Sequence, residues 1–107
     1  MSLEINHFVS GKQVILYPKG DIDIVQAEYF KQYILPFIEK EYEIVIDGQD
    51  LEYLDSTGLG MMMGIHKQLL SYNQLLQLSN MKSSILKILD ITGLNKIFKI
   101  LEGGSNV

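Results

Sequence analysis

The sequence predicts an α/β fold: a mixed sheet of four to five strands with helices mainly on one side. Three observations predict it. The hydrophobic period switches repeatedly between strand-like and helix-like spacing, strands and helices alternate along most of the chain, and Ile44-Val45-Ile46 is apolar on successive positions, as a strand buried on both faces requires. Such alternation implies parallel strand pairs joined by crossover helices.

Taken in order, Leu3, Ile5 and Val9 are spaced as on a strand, Gln13 to Tyr17 supplies a second, and Gly11 marks the turn between them. The chain therefore opens with a hairpin. Ala27, Phe30, Ile34, Phe37 and Ile38 recur at helical spacing and lie on one face of an amphipathic helix. Pro36 interrupts it by removing the bond to the carbonyl of Gln32, so a kink is expected there, or a helix end near Leu35 followed by a separate turn. Tyr42 to Asp47 reads as the interior strand. A second helix is expected from Ser56 to about Tyr72, a short strand through Leu75 to Leu78, a third helix from Lys82 to about Ile91, and a last strand through Ile97 to Leu101. The order is β-β-α-β-α-β-α-β.

Composition narrows the function classes. With 107 residues, 47% of them hydrophobic, and no Ser-, Pro- or Gly-rich linker, residues 1–107 read as a single domain with one core. The formal charge of −4 and the lack of a dense Lys/Arg cluster argue against direct nucleic-acid binding. Cysteine is absent, which removes disulfides, thiolate zinc sites and thiol chemistry. The opening MSLEINHF alternates apolar and polar residues, unlike a signal peptide, and no segment has the length of a membrane span. A cytoplasmic protein without membrane insertion is the expectation.

The richest stretch is DSTGLGMMMG, Asp55 to Gly64, placed after the interior strand and at the start of the second helix. Carboxyl ends of parallel strands are where loops of α/β folds gather functional groups. Either Asp55 or Ser56 can cap the helix by accepting a bond from an unpaired amide. The same helix start, with free amides and a positive dipole end, accommodates an anion at or near Ser56. Gly58 and Gly60 each cost a helix roughly 1 kcal/mol relative to alanine. A simple cap has no need of two, and glycines let another backbone or a partner approach. Met61, Met62 and Met63 follow one another around the helix, so at least one is expected to be exposed as adaptable contact surface.

Several chemical readings fail on spacing. Gly58, Gly60 and Gly64 make a glycine pattern one residue too long for a dinucleotide fingerprint, and no phosphate-binding loop is present. Gly60 to Gly64 has the spacing of a membrane dimer motif in an apolar run far too short to span. DSTG evokes an aspartic protease only superficially, because a Thr intervenes before the Gly and no second copy exists. His7 and His66 have no triad or metal-ligand spacing, and Asp21 and Asp23 stand at a strand-to-helix junction where Asp23 is a natural cap. No catalytic residue, cofactor or metal site is therefore expected.

Three motifs in order carry a resemblance. Leu54-Asp55-Ser56-Thr57-Gly58-Leu59-Gly60, preceded by Ile44-Val45-Ile46-Asp47, resembles the signature of the anti-sigma factor antagonists, single-domain members of the STAS superfamily. Gly20-Asp21-Ile22-Asp23 resembles that family's G-[DE]-[IL]-D turn, and Thr92-Gly93-Leu94-Asn95-Lys96-Ile97-Phe98 its late G-L-x-K-[hydrophobic]-F element. Leu54 in place of a frequent Met, and the triple Met in place of smaller aliphatics, are the departures.

The resemblance implies a STAS-type sheet and a phosphorylation switch. The unphosphorylated protein binds an anti-sigma factor that is itself a serine kinase, and so frees a sigma factor. Phosphorylation of Ser56 ends the complex, and a metal-dependent serine phosphatase reverses the modification. Asp23, Asp55, Thr57, Gly58, Leu59 and Gly60 are the partner-binding residues implied, with Thr57 a second candidate acceptor. The rival expectation is a structural STAS module of a signalling scaffold, or an accessory subunit of a transporter, in which Ser56 merely caps.

Overall fold

The computed structural model describes residues 3–101. Met1, Ser2 and residues 102–107, which the single-domain expectation includes, lie outside the described residues. Strand β1 (Leu3–Ser10) turns into β2 (Gln13–Ile22), followed by α1 (Ile24–Glu39), β3 (Glu43–Asp47), β4 (Leu51–Leu54), α2 (Ser56–Leu70), β5 (Gln77–Ser79), α3 (Ser83–Thr92), a 3-10 turn (Leu94–Lys96) and β6 (Lys99–Ile100). The sheet is mixed and six-stranded, in the order β1-β2-β3-β5-β6, with β4 paired to β2 off that path. The first pair is antiparallel and every other is parallel.

Alternation along β2 explains where the core sits. Val14 and Leu16 are fully buried, and the register sets them beside Ile44 and Ile46 of β3; Leu78 of β5 pairs Ile46. Onto this face pack Ala27, Phe30, Ile34 and Ile38 of α1, Met62, Ile65 and Leu69 of α2, and Ile85 and Leu89 of α3. Burial of a side chain such as Phe30 is worth about 1.5–3 kcal/mol. Residues of opposite parity face away from the helices: Phe8 pairs Ile15, which pairs Val45. Phe8 is exposed while Val45 is buried, so β3 is interior on both faces as its apolar run requires.

Three elements differ from the sequence reading. The sheet has one strand more than the four to five expected, because Leu51–Leu54 pairs β2. Strand β2 runs on to Ile22, well past Tyr17, and changes partner on the way: residues 13–16 pair β3 and residues 20–22 pair β4, with a register shift between Gly20 and Asp21. Gly20 has φ +119°, a backbone that a residue with a Cβ rarely adopts. Helix α1 does not end at Leu35 but continues through Pro36 to Glu39. Gln32 and Pro36 are both exposed, so the carbonyl that loses its intrahelical donor can bond water instead.

Smaller shifts follow local chemistry. Strand β5 occupies residues 77–79 rather than 75–78, since Asn73 at φ +62° and Gln74 still belong to the turn after α2. Gly93, at φ +79°, closes α3 and directs the chain into the 3-10 turn. Among the described residues no helix is long and apolar enough to cross a membrane.

Candidate functional site

Parallel pairing of β2 with β4 brings two helix starts together. The register sets Ile22 beside Leu54, so Asp23 and Asp55, the residues that follow, stand side by side; the Asp55 N–H donates to the Ile22 carbonyl at 3.3 Å. Each aspartate caps its helix from an extended backbone. Asp23 Oδ1 accepts from the N–H groups of Val25 at 3.1 Å and Gln26 at 3.0 Å. Asp55 Oδ1 accepts from the Gly58 N–H at 2.9 Å. Of the two capping candidates in the motif, Asp55 is therefore the cap.

Ser56 consequently takes the first helical position and is free for another use. Its side chain and that of Thr57 are exposed, and among the described residues no hydrogen bond engages either hydroxyl. The amides of the first turn point outward without intrahelical acceptors, apart from the Gly58 N–H that Asp55 takes. An exposed hydroxyl therefore sits at the positive end of the α2 dipole, next to a carboxylate.

The two motif glycines part company. Gly58 is buried, and a Cβ built on it would overlap Leu54 Cδ1 and lie 2.9 Å from the Ile22 carbonyl oxygen. Close packing of α2 on β2 and β4 requires a glycine here. Gly60 is exposed, with nothing within 4 Å of such a Cβ, and Leu59 is half-buried against the core. Nor do the methionines supply exposed surface: Met61 and Met62 are buried and Met63 is half-buried against the core. Helix α2 is covered over enough of its circumference for flexible thioethers to fill the gaps on all three sides.

Exposed apolar side chains beside the helix starts come instead from residues that the sequence reading passed over. Ile24 and Val25, in the first turn of α1, are 71% and 70% exposed, and Tyr53 of β4 is 54% exposed. A shallow groove between the helix starts is lined by Ile24, Ala27, Glu28, Lys31, Thr57 and Met61. The available signal was the adjacency of Ile24 and Val25 to the capping Asp23, one turn ahead of the buried Ala27, Phe30 and Ile34 stripe.

Other candidate groups lie elsewhere. His7 bonds Tyr33 through Nδ1 at 2.6 Å and packs on Phe37. His66 is buried against Phe98, its Nδ1 accepts from the Leu76 N–H at 3.2 Å, and burial holds its pKa below the usual histidine range. Among the described residues no group of three His, Cys, Asp or Glu is placed to hold a metal ion.

Residues 4–103 match the family model of the STAS domain. The chain is 34% identical over 88 residues to the anti-sigma-B factor antagonist of Bacillus subtilis, covering 79% of this chain and 81% of that protein. Its fold is similar to the crystal structure of TM1081 from Thermotoga maritima, with a TM-score of 0.87 and 27% identity over 95% of this chain and 89% of that one. It is also similar in fold to the Bacillus cell fate determinant SpoIIAA in its phosphorylated form, with a TM-score of 0.72 and 19% identity over 94% of this chain and 90% of that one.

Proposed function

The chain belongs to the STAS domain family as an anti-sigma factor antagonist, and from that premise we propose that it is switched at Ser56 by phosphorylation. The observation that carries the proposal is the division of labour at the start of α2. Asp55 satisfies the cap, which leaves the Ser56 hydroxyl exposed and unbonded. A serine needed for capping would not be free to react.

In the unphosphorylated state the partner is an anti-sigma factor with serine kinase activity, and the protein itself acts by binding rather than by catalysis. The contact surface comprises the two capped helix starts: Asp23, Ile24 and Val25 on α1, and Asp55, Ser56, Thr57, Leu59 and Gly60 on α2, with Tyr53 beside them. Gly58 supports this surface from beneath. Phosphoryl transfer joins Ser56 Oγ to the γ-phosphorus of ATP as ADP leaves and the hydroxyl proton passes to the kinase.

The product carries about −1.5 to −2 charge at this position. Within the molecule the free amides of α2 tolerate it. Against a partner fitted to a small hydroxyl it is bulky, and beside Asp55 and Asp23 it adds to charge already present. Release of the anti-sigma factor follows, and a metal-dependent serine phosphatase resets the switch.

The test is incubation with ATP and the partner anti-sigma factor kinase, with phosphate mapped by mass spectrometry. Wild type is expected to gain one phosphate, on Ser56, and Ser56→Ala none while still binding. Phosphate on Thr57 alone, or loss of binding in Ser56→Ala, would refute the assignment.

A further inference from the structure

Four consecutive residues, Ser79 to Lys82, hold the short loop that leads from β3 into β4, Ser79, Met81 and Lys82 directly and Asn80 through Asp47 at the end of β3. The Ser79 carbonyl accepts from the Gly48 N–H at 2.8 Å. Asn80 Nδ2 donates to Asp47 Oδ2 at 2.8 Å. The Met81 side chain lies so close to Gly48 that a Cβ there would overlap its sulfur. Lys82 Nζ donates to the Gln49 carbonyl at 2.5 Å and pairs with Glu52 Oε2 at 3.7 Å.

Asp47 closes the arrangement from the sheet side. Its carboxylate is in a residue only 8% exposed; Oδ1 accepts from the Gln49 N–H at 2.9 Å, and Oδ2 accepts from Ser79 Oγ at 3.4 Å as well as from Asn80. Burying an acidic side chain is costly unless its oxygens are satisfied, and here both are.

Strand β4 follows this clamp directly. It has four residues, pairs only with the last part of β2, and ends one residue before Asp55. The 48–50 loop is therefore joined through these four residues alone to the start of α2.

We propose that Asp47, Asn80 and Lys82 are positioning residues for the switch: by fixing the 48–50 loop they set the place and direction in which β4 presents Ser56. The proposal rests on the reading of Ser56 as the phosphoacceptor. Asn80 is the informative position, because its φ of +52° is one that glycine adopts without strain. Asn80→Gly thus removes the amide and leaves the backbone path available.

Two measurements on Asn80→Gly test it, at a temperature where the variant is fully folded. Amide exchange at Leu51 to Tyr53 is expected to accelerate about tenfold more than at Ile44 to Ile46, as local opening does. Phosphorylation by the partnered anti-sigma factor is expected to lose about tenfold in kcat with KM changed less than about twofold, because the α1 half of the surface is untouched while the acceptor is misplaced. The double variant Asp47→Asn with Asn80→Asp, which exchanges the two groups across the bond, is expected to restore both. Equal acceleration in β3 and β4, or an unchanged kcat, would overturn the proposal. If wild type gains no phosphate on Ser56, the switch reading fails, and the exchange measurement still decides whether the clamp holds β4.

Discussion

Alanine at Gly58 and at Gly60 is expected to move stability in opposite directions, although the two residues are separated only by Leu59 on one helix. At Gly60 the added methyl meets nothing within 4 Å. The gain is then the intrinsic helix preference of alanine over glycine, about 0.8–1.0 kcal/mol. In a domain of this size that corresponds to roughly 4–8 °C in Tm. At Gly58 the same methyl overlaps Leu54 Cδ1 and approaches the Ile22 carbonyl oxygen to 2.9 Å and Ile22 Cγ2 to 3.2 Å. Leu54 and Ile22 are 3% and 1% exposed, so neither can swing into solvent, and the carbonyl belongs to β2. Overpacking of this kind costs about 1–3 kcal/mol. After the same helix gain of about 1 kcal/mol the net loss is up to about 2 kcal/mol. The two variants should therefore differ by about 1–3 kcal/mol in urea unfolding. Calorimetric titration with the anti-sigma factor adds a second axis. Gly60→Ala should bind more weakly in spite of its higher stability, since its methyl stands on the contact surface. Equal stability of the two variants would refute the packing argument.

The caps give a paired prediction: Asp55→Ala should cost about 0.5–2 kcal/mol by freeing the Gly58 amide, whereas Ser56→Ala, which removes no hydrogen bond, should stay within about 0.5 kcal/mol of wild type. Ile24→Ser with Val25→Ser should leave thermal stability nearly unchanged, because both side chains are already about 70% exposed, yet weaken binding to the anti-sigma factor at least about tenfold. For pH, the pKa of buried His66 is depressed below its ordinary 6.5, so the unfolded chain binds the proton more readily than the folded one. This contribution to stability is complete above pH 6.5 and is lost as pH falls from there towards the lower folded value, with a slope of at most about 1.4 kcal/mol per pH unit. Tm measured against pH should show that loss in wild type, and His66→Gln should flatten it.

What the sequence discloses, and what it withholds, follows from the range of the interactions. The stripe of Ala27, Phe30, Ile34 and Ile38 is legible because helical period and burial agree within one element. Ile44 to Ile46 is legible because a continuous apolar run needs cover on both faces. Strand β4 is not, since Leu51 and Leu54 are buried with two exposed residues between them, a pattern without the alternation of a strand. It exists because β2 changes partner beyond Gly20, a tertiary event. At the site, the DSTG motif announces a helix start, and either Asp55 or Ser56 fits the cap until the geometry selects Asp55. Likewise two glycines look equivalent in sequence, and only the approach of Ile22 and Leu54 separates the buried Gly58 from the open Gly60. For Ile24 and Val25 the position beside the capping Asp23 is legible, but their exposure depends on where the helical layer ends, which is a tertiary matter.

The central claim is that one phosphate on Ser56 separates the binding state from the released state. Its most direct test is calorimetric titration of the anti-sigma factor with this protein, prepared once unphosphorylated and once stoichiometrically phosphorylated on Ser56, both confirmed folded by circular dichroism. The unphosphorylated form is expected to bind and the phosphorylated form to bind at least about a hundredfold more weakly, a difference of about 2.7 kcal/mol. Equal affinities of the two forms would contradict the account.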